Sequence, residues 1–163
     1  MSDQLFYNIA KPLLEKTTHL TFQLNELLEK ENTVLKSIDT SSLESIASEK
    51  ELVMAMLDKH HQDWLALVEQ QVKVLSADRM HRFLKYYDKK NDTKLFEIWK
   101  SLQDHTRKCQ RLNTINGTII ILRNQAANQI LSILRGQGSD NSTYDTHGNQ
   151  TAVNNGGHSL AKA

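Results

Sequence analysis

An all-α fold is predicted by this sequence: an elongated antiparallel bundle of three long helices with a short connecting helix, followed by a disordered C-terminal tail. Three observations predict it. There is one proline, Pro12, and five of the six glycines lie after Leu134, so the first 134 residues lack the punctuation that strands and hairpins need. Long stretches of that region repeat apolar residues at alternating steps of three and four, the period of an α-helix buried along one face. Short clusters of Ser, Thr and Asp separate those stretches, and such side chains compete for backbone hydrogen bonds and favour turns and caps.

The first helix is predicted over residues 3–37, with Ile9, Leu13, Leu20, Leu24, Leu27 and Val34 as its buried seam. Pro12 is tolerable only near the first turn, and if the helix starts there the preceding residues fray. The run Ser37-Ile38-Asp39-Thr40-Ser41-Ser42 ends the pattern, and Ser41 with Glu44 forms a capping box that sends the second helix back antiparallel. That helix carries Leu43, Ile46, Val53, Leu57, Trp64, Leu67 and Val74, and is expected to continue to about Leu75. Lys50 lies on the same stripe and is expected to pack its stem and carry its ammonium to the edge. Ser76-Ala77-Asp78 opens a short helix with Met80, Phe83, Leu84 and Tyr87 on one side. A second connection at 88–93 leaves Asp92 or Thr93 to cap the long helix that follows. The main seams of three long helices then face one axis, as in a left-handed bundle of coiled-coil-like packing.

The long helix, from near Thr93 to Leu134, holds more apolar surface than one face can bury. Leu95, Ile98, Leu102, Cys109, Leu112, Ile119, Ala126, Ile130 and Ile133 form a core seam. A second seam, about 100° round, runs Gly117, Ile120, Asn124, Ala127, Leu131 and Leu134 and starts only halfway along. It asks for another surface, either a thick core or a partner. Gly117 sharpens the question, since a mid-helix glycine costs roughly 1 kcal/mol and close approach by another backbone usually compensates.

Residues 1–135 are thus read as one helical domain and 136–163 as a tail too polar and glycine-rich to order itself. The 163 residues are 39% hydrophobic and 24% charged, enough for one sizeable core. A net charge of +1 gives no field for nucleic acid, and the basic, aromatic stretch HRFLKYYDKK from His81 to Lys90 reads as a solvated helix end. One cysteine excludes an internal disulfide, no apolar run reaches the ~18 residues of a membrane span, and the N-terminus has no signal-peptide pattern. A cytoplasmic location without direct membrane insertion is expected.

Catalytic chemistry is not expected either. The chain has no phosphate loop, paired-cysteine metal motif or nucleophile elbow, and no cofactor is implied. His105 and Cys109 lie one turn apart, but a structural zinc needs four ligands and no second pair offers itself. His60 and His61 raise a phosphotransfer reading, yet Gln62, Asp63, Trp64 and Leu65 follow them instead of the lysine and glycine such a domain keeps.

Two stretches carry a family resemblance. LNELLEKENTVLKSIDTSSLESIASEKELVMAMLDK, residues 24–59, and LNTINGTIIILRNQAANQILSILRGQ, residues 112–137, resemble the FlgN family of flagellar export chaperones. In the first, Leu27, Glu29, Glu31, Leu35, Leu43, Ile46, Lys50 and Leu57 fall where that family's helical hairpin has like residues. The second has its Asn-Gly followed by aliphatics, and STYDTHGNQT, residues 142–151, is similar to its tyrosine-then-glycine tail; residues 60–92 match nothing. The resemblance implies a chaperone that binds the C-terminal segments of hook–filament junction proteins, keeps them from assembling early, and hands them to the cytoplasmic domain of the flagellar export gate. It places the client surface at Asn113, Asn116, Gly117, Ile120, Asn124, Ala127, Leu131 and Leu134, and the gate contact at Tyr144, Asp145 and Gly148. The alternative is a structural coiled-coil module whose second seam serves self-association.

Overall fold

The computed structural model describes residues 3–69 and 76–135, so the expected end of the second helix at Val74 and Leu75, and the tail from 136 with Tyr144, Asp145 and Gly148, lie outside the described residues. Four helices follow in order: α1 (Asp3–Lys36), α2 (Leu43–Glu69), α3 (Ala77–Asn91) and α4 (Leu95–Leu134). The chain divides into two compact units, Met1–Ile120 and Ile121–Ala163, and the boundary falls within α4.

In the first unit, α1 and α2 form the expected antiparallel hairpin, with Leu20 and Leu27 of α1 packed on Val53 of α2. At one end all four helices meet. Phe6, Ala10 and Leu14, Trp64, Leu67 and Val68, Met80, Leu84 and Tyr87, and Leu95 make one buried cluster. Phe6 sets its edge against Phe83 at 5.5 Å and packs on Tyr87 at 5.1 Å, a geometry that suits the ring quadrupoles. The short helix α3 closes this end: its Tyr87 hydroxyl donates to the Asp3 carbonyl, and Lys90 pairs with the Asp3 carboxylate at 2.7 Å. The first part of α4 then runs in the direction of α1, since Leu95 joins Phe6 and Leu14 in the cluster while Asn116 reaches the Leu28 carbonyl.

Several local expectations are corrected. The first turns of α1 bury Phe6, Ala10 and Leu14, leaving Ile9 exposed, so the seam there is one residue out of the predicted register. Pro12 sits well inside α1 on its exposed side, where water can solvate the carbonyl that its missing N–H leaves without a helical partner. The pairing of Ser41 with Glu44 gives way to a different start: Asp39 Oδ1 accepts from Ser41 N–H at 2.9 Å, and Ser42 holds the cap position, its carbonyl taking Ile46 N–H at 3.1 Å. These bonds to Ser41 hold the Asp39 carboxyl below its ordinary range.

The start of α4 is capped neither by Asp92 nor by Thr93. Asp92 ends α3 in the left-handed conformation, at φ 52° and ψ 48°. The cap is Asp88, from the last turn of α3, whose carboxylate accepts from Leu95 N–H at 3.0 Å and Phe96 N–H at 2.8 Å and from the Thr93 hydroxyl. One carboxylate on two free amides at a helix N-terminus is doubly favourable, through hydrogen bonding and through the dipole. It fixes the angle at which the connecting helix releases the long one.

Candidate functional site

Within the first unit, α4 lies over α1 through a polar seam. Cys109 places its thiol 3.5 Å from the Thr21 carbonyl, and burial pushes that thiol's pKa up, which keeps it protonated and unreactive. One turn earlier, the Asn25 carboxamide donates to the His105 carbonyl at 3.2 Å and lies 3.3 Å from its ring nitrogen. Both members of the sequence-level metal pair are therefore held by α1, and among the described residues no group of three His, Cys, Asp or Glu is placed to hold a metal.

Asn116 departs from its expected role. It is 1% exposed, so it presents nothing at a surface. Its amide nitrogen donates to the Leu28 carbonyl at 2.9 Å and to Glu31 Oε2 at 2.8 Å, while its oxygen accepts from Asn32 at 2.7 Å. The other oxygen of Glu31 takes Lys50 Nζ of α2 at 2.7 Å. Lys50 thus ends in a shielded ion pair instead of reaching solvent, and Glu31, Lys50 and Asn116 tie three helices at one level. Sequence reasoning missed this group although a signal was present: Glu31, Lys50 and Asn116 each stand where the apolar three-four alternation of their helix skips a position.

The neighbours of Asn116 behave otherwise. Asn113 is exposed, Ile120 is 41% exposed, and Gly117 is half-buried. A Cβ at Gly117 would meet nothing within 4 Å, so among the described residues no other backbone makes the expected close approach. Its helical cost is therefore uncompensated, and Gly117→Ala is expected to raise stability by about 0.5–1 kcal/mol. Thermal melting followed by circular dichroism checks this; a lower melting temperature would mean that a neighbour fills the space.

The second unit's described part is the end of α4, and here the two predicted seams merge. At about 100° per residue, Leu122, Ala126, Ala127, Ile130, Leu131, Ile133 and Leu134 share one half of the helix, interrupted by Arg123. Gln125, Asn128, Gln129 and Ser132 occupy the other half together with the exposed Ile121, and Asn124 lies at its border beside Leu131. Neither seam is covered. Every residue from 121 to 134 other than Ser132 is exposed, including Leu122 and Ile130 at 58%, Leu131 at 45% and Leu134 at 77%. Ala126, Ile130 and Ile133 were expected in the core; their seam is buried or half-buried only as far as Ile119. A contiguous face of large aliphatics is the kind of surface that marks a protein-binding site.

Among the described residues no helix is long and apolar enough to cross a membrane. The model of the FlgN protein family matches residues 7–152, which takes in all four helices from the first turns of α1 onward. No curated protein and no solved structure matches the chain.

Proposed function

The chain belongs to the FlgN family of flagellar export chaperones, and we propose that it binds the C-terminal segments of hook–filament junction proteins, holds them unassembled in the cytoplasm, and delivers them to the export gate. The observation that carries the reading is the bare apolar half of α4 beyond Ile120. A chaperone of this kind is not an enzyme; its work is differential binding, and that half-helix is well suited to pair with an amphipathic helical segment.

The client surface in this reading comprises Ala127, Leu131 and Leu134, bordered by Asn124, and widened by Leu122, Ile130 and Ile133. Asn113, Gly117 and Ile120 in the first unit remain open to contact, whereas Asn116 acts from inside. Each aliphatic that a client fully covers contributes roughly 1.5–3 kcal/mol, so a few of them reach micromolar affinity after association costs. The deciding experiment measures the affinity of the full chain for a junction-protein C-terminal peptide, wild type against Leu131→Asp.

Gate delivery is assigned to Tyr144 with Asp145 and Gly148, on the similarity of residues 142–151 to the family's tail. Tyr144 is the only aromatic after Trp99, and a tyrosine anchors well on a polar segment because it brings large area at small entropic cost. Tyr144→Ala is expected to leave client affinity intact while weakening the chaperone–client complex for the gate's cytoplasmic domain by about 2 kcal/mol or more. Titration calorimetry reads both; an unchanged gate affinity removes the tyrosine from this role.

A further inference from the structure

The apolar half of α4 beyond Ile120 is broken at one place, and the break is central. Leu122 and Leu131 stand at the two edges of that half, and Arg123 lies about 100° round from the first and about 80° from the second. Ile130 and Leu134 follow it almost in line along the helix. Arg123 is exposed, as they are.

The charge there is not balanced by neighbours in sequence. From His105 to Arg135 the chain holds no Asp or Glu, whereas Arg107, Lys108, Arg111, Arg123 and Arg135 are cations. Arg107 and Lys108 are answered within the first unit, by Asp104 and Glu29. Arg123 is not without contacts in the free chain, but a guanidinium carries five N–H donors and keeps capacity for a carboxylate beside another bond.

A cation in the middle of an apolar face discriminates among occupants. A helix lying on a lipid surface sinks the middle of its apolar face deepest and holds its cations on the polar face. Here the arrangement is the reverse, because the polar half of residues 121–134 has no Lys or Arg. A second copy of this face sets arginine against arginine when paired in register, and in any register it brings no carboxylate. A partner helix with a purely aliphatic stripe covers the guanidinium and leaves the charge desolvated without an answer, which is costly.

We infer that Arg123 selects the client: the segment laid on this face is an amphipathic helix whose apolar stripe carries one Glu or Asp, and that carboxylate pairs with the guanidinium. The assignment rests on the client reading above and adds the chemistry that the client must have. Rejection does as much as attraction, since a leucine-only stripe strands the charge that a matched one neutralises.

The test titrates the full chain with a junction-protein C-terminal peptide, and with peptide variants in which each Glu or Asp becomes its amide, one at a time. Arg123→Met keeps an aliphatic side chain of similar helix propensity and removes the charge, so its melting temperature is expected to match wild type. It is expected to bind the peptide about tenfold or more weaker. One amide variant is expected to lose about as much on wild type and less than about twofold on Arg123→Met, the signature of a direct pair. Two results leave the client surface standing and overturn the role of Arg123: Arg123→Met binding as tightly as wild type or tighter, and no single peptide carboxylate coupling to it. A peptide that does not bind wild type, or that binds Leu131→Asp equally well, removes the client surface and this inference together. Pelleting of the free chain with phosphatidylglycerol vesicles that is lost in Arg123→Met would mark a lipid occupant, and self-association lost in Leu131→Asp would mark a second copy; either overturns the choice of client.

Discussion

Leu131→Asp is expected to weaken binding of a junction-protein C-terminal segment well over tenfold while leaving the melting temperature nearly unchanged. The two effects separate because of where the side chain sits. At 45% exposed, Leu131 gives up little burial when replaced, and surface substitutions usually stay within about 0.5 kcal/mol. In a complex the same position lies on the apolar half of α4, where an unpaired carboxylate must be desolvated at a cost of several kcal/mol. Tenfold is about 1.4 kcal/mol, so the expected loss clears that threshold. A negative charge in the last turn also opposes the helix dipole, by about 0.3–1 kcal/mol. Ser132→Asp controls for it, since it adds the same charge in the same last turn but on the polar half. Calorimetry on both variants decides the matter: equal losses would indicate charge or fraying alone, and an unfolded Leu131→Asp would mean that the face is covered in the free protein.

How far the sequence could be read follows one line: periodicity reports which face of a helix is apolar, and nothing about whether a neighbour exists to cover it. The helices, the antiparallel hairpin and the short α3 with Met80, Leu84 and Tyr87 inward were legible for that reason. The seam through Ala126, Ile130 and Ile133 was equally regular and is bare. Gly117 shows the same limit from the other side, for a glycine permits close approach without requiring it. Caps failed differently. The pairing of Asp88 with Leu95 and Phe96 spans a turn between helices, and a rule that looks three residues ahead along one helix cannot reach it. The candidate surface was half legible: Leu131 and Leu134 lie where expected, Asn116 lies inside, and Ile130 and Ile133 join the face from the seam first assigned to the core.

The polar residues at the skipped seam positions carry the largest expected effect on stability. Lys50→Met keeps the aliphatic stem and removes the ammonium, leaving the Glu31 carboxylate shielded with Asn116 alone to answer it. The side chains of Lys50 and Glu31 are only 17% and 12% exposed, so solvent screens the lost partner weakly. Breaking one side of such a pair costs about 3–5 kcal/mol, a large share of a domain's net stability. Neutralising the stranded group should return much of it. Glu31→Gln added to Lys50→Met replaces the carboxylate with an amide whose oxygen still accepts from Asn116, and a neutral replacement of a buried pair is often close to harmless. Denaturant unfolding of wild type, Lys50→Met and the double variant therefore carries a sign as well as a size: the single variant falls by several kcal/mol and the double recovers most of the loss. A single loss under about 1 kcal/mol would place this pair with ordinary surface bridges. A double variant no better than the single would assign the cost to the packing of the lysine stem rather than to the stranded charge.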